Sequence, residues 1–140
     1  MKNILMLATG GTIASKDSGE GLTPAITSQE ILGYVPAIGQ LCQVETIQLM
    51  NLDSTNIGPS HWLEMARAME EHYDAYDGFV ITHGTDTMAY TAAALSYLIQ
   101  GSGKPIVLTG SQKPIHMDIT DSKTNLLDAF TVACDGRIGG

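Results

Sequence analysis

The sequence predicts a single α/β domain with a doubly wound, mostly parallel sheet and helices on both of its faces. Apolar runs typical of buried strands alternate along the chain with amphipathic or alanine-rich runs typical of helices. Three of the apolar runs end in threonine followed closely by glycine, as strands do where they enter tight loops. The 140 residues, 44% of them hydrophobic and 16% charged, suit one packed core.

The first part of the chain contains two strand patterns and one helix pattern. Residues 4–8 are apolar without alternation, which indicates a strand covered on both faces. Residues 27–30 resemble a capping box, so we expect a short helix that ends before Pro36. Residues 44–49 alternate apolar and polar side chains, as a half-buried strand near a sheet edge does.

The next part predicts a helix, a strand and a second helix. Pro59 suits the first turn of a helix that should run to about Tyr73. Its buried face is expected to carry the apolar residues spaced by three and four, which are Trp62, Met65, Ala66 and Met69. Residues 78–81 predict a buried strand, and the alanine- and leucine-rich residues 88–100 predict a helix.

The last part predicts one more strand and helix. Residues 106–108 are apolar throughout and are expected to form a third buried strand. A final helix should begin at Asp121 or Ser122 and end near Cys134.

Charge and cysteine content argue against several classes of protein. The net charge of −8 leaves no basic stripe for nucleic acid and disfavours an anionic membrane surface. Cys42 and Cys134 form no CxxC pair, which favours a reducing compartment. The run at residues 4–8 is too short for a signal peptide, and no segment reaches the ~18 apolar residues of a membrane span. We expect a soluble cytoplasmic protein without nucleic-acid or membrane partners.

Three of the predicted strands end in loops of the same composition. These read TGGT at residues 9–12, THGTD at 82–86 and TGS at 109–111. In open α/β sheets the ligand crevice lies beyond the carboxyl ends of the strands, so the loops should converge on one pocket. Ordinary turn and cap chemistry explains any one such loop, whereas three together favour a site.

Several common sites have no support in the sequence. Neither GxGxxG nor GxxxxGK[ST] occurs, so no nucleotide cofactor is expected, and no GxSxG elbow is present. The histidines lack metal-ligand spacing, and we expect no metal; they are His61, His72, His83 and His116.

Hydroxyl and carboxylate side chains are expected to line the pocket. The candidates are Thr12, Thr85, Asp86, Ser54, Thr55 and Ser111. A threonine hydroxyl is a weak nucleophile unless a base removes its proton. Asp86 alone is a poor base for an alcohol, although it could orient a lysine or a water. These residues point to a small polar substrate and to acyl transfer through an ester.

Four segments resemble the bacterial L-asparaginases, in particular their cytosolic type I branch. They are TGGTIAS at residues 9–15, DSTN at 53–56, GFVITHGTDTMAYTA at 78–92 and PIVLTGSQKP at 105–114. TGGTIA followed by HGTDT is a strong joint signal, and the resemblance covers essentially the whole chain. It implies an amidohydrolase that converts asparagine to aspartate and ammonia and assembles as a homodimer or homotetramer.

The resemblance also implies residue roles. Thr12 would be the nucleophile that forms a β-acyl ester as ammonia leaves. Thr85 and Asp86 would form a second catalytic pair, with Asp86 also binding the substrate amino group. Ser54 and Thr55 would hold the α-carboxylate and neighbouring groups. Backbone amides near Thr12 and Thr85 would stabilise the oxyanion.

Two departures from the family pattern are visible. Leu22 stands where the family has a loop tyrosine, which leaves the activation of Thr12 unassigned; Tyr34 is an alternative hydroxyl. Lys113 does not match the family's catalytic lysine, which would lie beyond this chain together with a smaller carboxyl-terminal domain. We therefore expect residues 1–140 to be an amino-terminal domain that is incomplete at its carboxyl end and exposes apolar surface there.

Three alternatives remain open. A glutaminase or a tRNA-dependent amidotransferase subunit would share the fold, and one methylene in a substrate is worth only ~1–3 kcal/mol of discrimination. A non-catalytic amino-acid-binding module would keep the pocket without turnover. An inert piece would act only after assembly with a complementary segment.

Overall fold

The computed structural model describes residues 1–11, 28–112 and 121–135. Four strands in these ranges form one sheet, in which every neighbouring pair is parallel. They are β1 (Lys2–Ala8), β2 (Cys42–Gln48), β3 (Gly78–Thr82) and β4 (Ile106–Thr109). The strand order is β2-β1-β3-β4, so β1 and β3 are central. The predicted parallel α/β sheet is confirmed.

Helices cover both faces of this sheet. Those in the described ranges are α1 (Ser28–Tyr34), α2 (Ile38–Leu41), α3 (Pro59–Glu71), α4 (Met88–Leu98) and α5 (Ser122–Ala133). Residues of α1, α2 and α5 pack in an apolar cluster on one face, and residues of α3 and α4 pack in a second cluster on the other. Helical crossovers on both faces are what a doubly wound sheet requires.

The central strands bury side chains on both faces, which explains their apolar composition. In β1, Ile4 and Met6 belong to the cluster with α5, whereas Leu5 and Leu7 belong to the cluster with α3. All five residues of β3 are buried. A strand buried on both faces has no solvent side on which polar residues could alternate.

Most element boundaries lie close to those predicted. The edge strand β2 begins at Cys42 rather than at residue 44, and its exposed and half-buried positions fit the predicted half-buried edge. Helix α3 begins at Pro59 as predicted, but it ends at Glu71 and a short 3-10 turn follows. Its buried residues are Met65, Ala68 and Met69, while Trp62 and Ala66 are half-buried.

One prediction is wrong, and one element was missed. We expected residues 106–108 to form a buried strand, yet Ile106, Val107 and Leu108 are only half-buried. Among the described strands only β3 pairs with β4, which makes β4 an edge. An apolar run indicates which side chains avoid water but does not reveal how many strands lie beside it. Helix α2 was not predicted because four residues are too few to show a helical period.

The two cysteines, distant in sequence, lie together in the apolar cluster that includes α5. The Cys42 thiol is buried at the start of β2, and Cys134 is half-buried at the end of α5. Burial and the hydrogen bond with Cys134 raise the pKa of Cys42 to about 12. No disulfide joins them. In the described part of the chain, no helix combines the length and apolarity that crossing a membrane requires.

Candidate active site at the carboxyl edge of the sheet

The loop after β1 lies directly against the loops after β2 and β3. Gly10 and Gly11 have φ angles of 107° and 85°, which L side chains rarely adopt. A Cβ atom on Gly10 would lie 2.6 Å from the Leu52 carbonyl oxygen, and one on Gly11 would lie 2.6 Å from the Gly84 nitrogen. Backbone therefore contacts backbone at both places, and only glycine fits.

The loops after β3 and β4 are equally close to their neighbours. A Cβ atom on Gly84 would lie 2.6 Å from the Ser54 Cβ atom, and one on Gly110 would lie 2.2 Å from the His83 carbonyl oxygen. The loops after all four strands thus meet at one edge of the sheet. Their expected convergence is observed in the described residues.

Hydrogen bonds fix these loops to one another. The Thr9 hydroxyl donates to the Thr82 carbonyl oxygen at 2.6 Å. The backbone N–H of His83 donates to the Thr109 carbonyl oxygen at 2.9 Å, which continues the β3–β4 ladder beyond the strands. The Leu52 N–H donates to the Thr9 carbonyl oxygen at 2.9 Å. Because the bonds link all four strand ends, the edge is held as one unit.

The loop after β2 places the two predicted carboxylate-binding residues. The Asp53 carboxylate caps a 3-10 turn over Ser54–Asn56 by accepting from the Thr55 backbone N–H at 3.1 Å. It also accepts from the Thr55 hydroxyl at 3.2 Å. Ser54 is 2% exposed, whereas Thr55 is exposed. The Thr87 hydroxyl donates to the Ser54 carbonyl oxygen at 2.7 Å, so this turn is bound to the loop after β3.

Thr85 and Asp86 lie on the loop between β3 and α4. The Gln112 side-chain amide donates to the half-buried Thr85 hydroxyl at 3.0 Å. The Gln112 backbone N–H in turn donates to the Asp121 carboxylate at 2.9 Å. The Asp86 carboxylate is exposed at the same edge. The contact between Gln112 and Thr85 was missed because Gln112 belongs to another loop, and only its place after the TGS segment could have suggested it.

Helix α5 supports the loop after β4 from one side. The Asn125 side-chain amide donates to the Gly110 carbonyl oxygen at 2.8 Å. The Thr109 hydroxyl donates to the backbone carbonyl oxygen of the same asparagine at 3.4 Å. Ser111, which was predicted to be near the pocket, is 2% exposed. The loop that carries Gln112 is therefore held at its base.

His83 was dismissed by sequence reasoning because it lacks metal-ligand spacing, yet it is buried at the centre of this edge. Its Nδ1 atom lies 2.6 Å from the Gly84 carbonyl oxygen, and its Nε2 atom lies 2.8 Å from the Thr91 hydroxyl of α4. Burial lowers its pKa, an effect that the hydrogen bond with Gly84 opposes. The imidazole is therefore neutral at pH 7, and no charge is needed to account for its contacts.

Several predicted residues are not near the edge or not in the described ranges. Thr12, Leu22 and Lys113 lie outside the described residues. Tyr34 packs against the apolar cluster that includes residues of α5. In residues 1–11, 28–112 and 121–135, no group of three or more His, Cys, Asp and Glu side chains could hold a metal ion.

Comparison with known proteins shows which proteins the whole chain resembles. Residues 3–140 match the protein family described as asparaginase, N-terminal. An L-asparaginase from Thermococcus kodakarensis is 46% identical over 139 residues, which are 97% of this chain and 42% of that protein. The solved structure of a thermostable L-asparaginase from the same organism superimposes with a TM-score of 0.86 at 44% identity, and the match covers 99% of this chain and 42% of that one.

Two further relatives widen the comparison. The structure of a probable cytoplasmic L-asparaginase from Campylobacter jejuni has a TM-score of 0.83 at 32% identity, covering 99% of this chain and 42% of that one. A subunit of the glutamyl-tRNA(Gln) amidotransferase from Saccharolobus islandicus is 40% identical over 133 residues, which are 93% of this chain and 30% of that protein. The chain therefore spans less than half the length of these relatives.

Proposed function

This chain belongs to the asparaginase family through its match to the family's amino-terminal domain, and from that membership we propose that the protein hydrolyses L-asparagine to L-aspartate and ammonia. The observation that carries the proposal is the contact between Gly11 and Gly84. These glycines directly precede Thr12 and Thr85 in the sequence. Two hydroxyl residues, each next to a glycine that admits close backbone approach, suit a reaction in which one hydroxyl attacks and neighbouring amides hold the oxyanion.

In the proposed reaction, the Thr12 oxygen bonds to the side-chain amide carbon of asparagine. The C–N bond then breaks, and the nitrogen leaves as ammonia after taking up a proton. A β-aspartyl ester remains on Thr12, and water hydrolyses it to release aspartate and restore the hydroxyl. Thr85 and Asp86 form the second pair of groups at the site, and the Gln112 contact holds the Thr85 hydroxyl.

Substrate binding is proposed for the loops after β2 and β3. Ser54 and Thr55 hold the α-carboxylate, and the exposed Asp86 carboxylate holds the α-ammonium group. The Asp53 carboxylate already accepts two hydrogen bonds from Thr55, so it orders this turn. A hydroxyl-rich turn and a carboxylate at the same edge of the sheet suit a small zwitterion.

We further propose that residues 1–140 form part of an amino-terminal domain incomplete at its carboxyl end, in a cytoplasmic homodimer or homotetramer. The coverage of 42% of the Thermococcus relative supports the first point. The name of the Campylobacter structure, a probable cytoplasmic asparaginase, supports the location.

The second candidate function is that of an amidotransferase component acting on glutamine, favoured by the 40% identity to the Saccharolobus protein.

The decisive experiment measures ammonia release from asparagine and from glutamine by the wild-type protein and by Thr12→Ala. We expect asparagine to be the better substrate and Thr12→Ala to abolish turnover while leaving the unfolding midpoint within a few degrees of wild type. Thr131→Val is the control, because its exposed hydroxyl donates to the Leu127 carbonyl oxygen within the same helix, α5.

Each of the other possible results supports a different hypothesis about the function. Undiminished turnover in Thr12→Ala excludes Thr12 as the nucleophile. Faster release from glutamine favours the amidotransferase alternative. Binding of aspartate without ammonia release favours a binding module.

A further inference from the structure

A chain of hydrogen bonds runs from α3 through α4 to the loop after β3. The Trp62 indole N–H of α3 donates to the Thr91 hydroxyl of α4 at 3.0 Å. That hydroxyl lies 2.8 Å from His83 Nε2, and His83 Nδ1 lies 2.6 Å from the Gly84 carbonyl oxygen. Thr91 and His83 are both 0% exposed. The chain therefore connects two helices to the loop that carries Thr85 and Asp86.

The chemistry of the two ends fixes the direction of every bond. A carbonyl oxygen only accepts, so the proton between His83 and Gly84 belongs to Nδ1. An indole N–H only donates, so the Thr91 oxygen accepts from Trp62. In a neutral imidazole Nε2 then carries a lone pair, and the Thr91 hydroxyl donates to it. All donors and acceptors are satisfied only when His83 is the neutral Nδ1–H tautomer.

This tautomer has a consequence for the next residue. A trans peptide is planar, so the carbonyl of Gly84 and the N–H of Thr85 lie in one plane and point in opposite directions. Holding the Gly84 carbonyl against His83, on the buried side, therefore aims the Thr85 N–H away from the histidine. Gly84 is also packed against Gly11 and Ser54, which leaves the peptide little room to turn.

We propose that Trp62, Thr91 and His83 are positioning residues that aim the Thr85 backbone N–H at the reacting amide, where it stabilises the oxyanion. This inference rests on the proposed hydrolysis of asparagine. In this proposal the Trp62–Thr91–His83 hydrogen-bond chain, called the relay below, does more than fill the core. It holds the peptide group between Gly84 and Thr85 in one of its two possible directions. An oxyanion donor is useful only when it is fixed before the charge develops.

The test combines ring-nitrogen NMR of His83 with steady-state kinetics of the wild-type protein. In the wild type we expect the neutral Nδ1–H tautomer, with the Thr85 amide shifted by aspartate binding. Thr91→Val keeps the shape but removes the hydroxyl that donates to Nε2, so we expect the Nε2 resonance of His83 to shift while the Gly84 carbonyl still holds the proton on Nδ1. We also expect a fall in kcat of up to ~10²-fold with little change in KM, since an oxyanion donor acts in the transition state. Thr91→Ser should restore the Nε2 resonance and most of the rate.

Other outcomes overturn the proposal. It fails if wild-type His83 is the Nε2–H tautomer, or if Thr91→Val leaves both the Nε2 resonance and kcat unchanged. If Thr91→Val does not fold, Trp62→Phe removes the first donor and is judged by the same two measurements. If the wild type releases no ammonia from either amide, the proposed hydrolysis fails; the relay then stands only if Thr91→Val also abolishes the aspartate-induced shift of Thr85.

Discussion

At the scale of single residues, Gly110 illustrates how closely the loops after β3 and β4 approach. A Cβ atom there would lie 2.2 Å from the His83 carbonyl oxygen and 2.8 Å from the Met88 methyl group. The first of these atoms belongs to the backbone, so no side-chain rotation relieves the overlap. The loop itself must move if any other residue replaces this glycine.

We therefore predict that Gly110→Ala lowers the free energy of unfolding by ~1–3 kcal/mol, the usual cost of overpacking. Urea denaturation followed by circular dichroism measures this change. Gly103→Ala is the matched control, because nothing lies within 4 Å of its Cβ position, and its cost should stay below ~0.5 kcal/mol. Equal costs for the two variants would mean that the loops separate easily.

The residues of the candidate site differ in how far the sequence could reveal them. Ser54, Thr85 and Asp86 lie in loops that directly follow strands, so a parallel sheet places them at one edge, as it does here. The role of His83 was not predictable in this way. Its partners Trp62 and Thr91 lie on two different helices, and their contact depends on how α3 and α4 pack. No local spacing encodes that packing.

At the scale of elements, helix α3 shows how the buried face determines stability. Met65 is 0% exposed within the cluster that includes Leu5 and Phe79, whereas Leu63, two residues earlier, is 44% exposed. Both side chains are of similar size and lie in the middle of the same helix. They differ mainly in the apolar contacts that truncation removes.

Met65→Ala is expected to cost ~2–5 kcal/mol of unfolding free energy, because it leaves a cavity in the core. Leu63→Ala should cost less than ~1 kcal/mol, because its side chain already contacts water. Chemical denaturation of both variants gives the two values under identical conditions. A larger cost for Leu63 would show that α3 presents its other face to a partner.

The strands show which structural property could not be predicted from the sequence, namely how deeply each strand is buried. The apolar runs that became β1 and β3 are indistinguishable in kind from the one that became β4. Burial of β1 and β3 follows from having a strand on each side, whereas β4 has β3 alone among the described strands. The number of neighbours is a property of the sheet order, and a single run contains no information about it.

At the scale of the whole molecule, the parallel sheet itself creates the site. Because all four strands run in the same direction, their carboxyl ends and the loops that follow share one edge. Alternation of strand and helix patterns was enough to predict this arrangement. The contacts that make the edge compact, such as Gly84 against Ser54, depend on loop conformations that alternation does not specify.

The stability of the whole molecule should depend on pH through His83. Burial lowers the pKa of this imidazole in the folded protein, so the folded state keeps it neutral. In the unfolded chain it regains the ordinary value of about 6.5 and binds a proton below that pH. The unfolded state then holds more protons than the folded one. The contribution of His83 to the free energy of unfolding is therefore constant above pH ~6.5. Below that pH it falls by at most ~1.4 kcal/mol per pH unit.

Urea denaturation between pH 5 and 8 measures this slope for the wild type and for His83→Gln, which has no titrating group at this position. The variant will be less stable at every pH, because glutamine cannot satisfy both Gly84 and Thr91 in the same geometry. Its stability should nevertheless fall less steeply below pH ~6.5, since every other titrating group is shared and the difference between the two slopes isolates His83. Parallel curves would show that the buried imidazole takes up its proton in the folded protein as readily as in the unfolded chain.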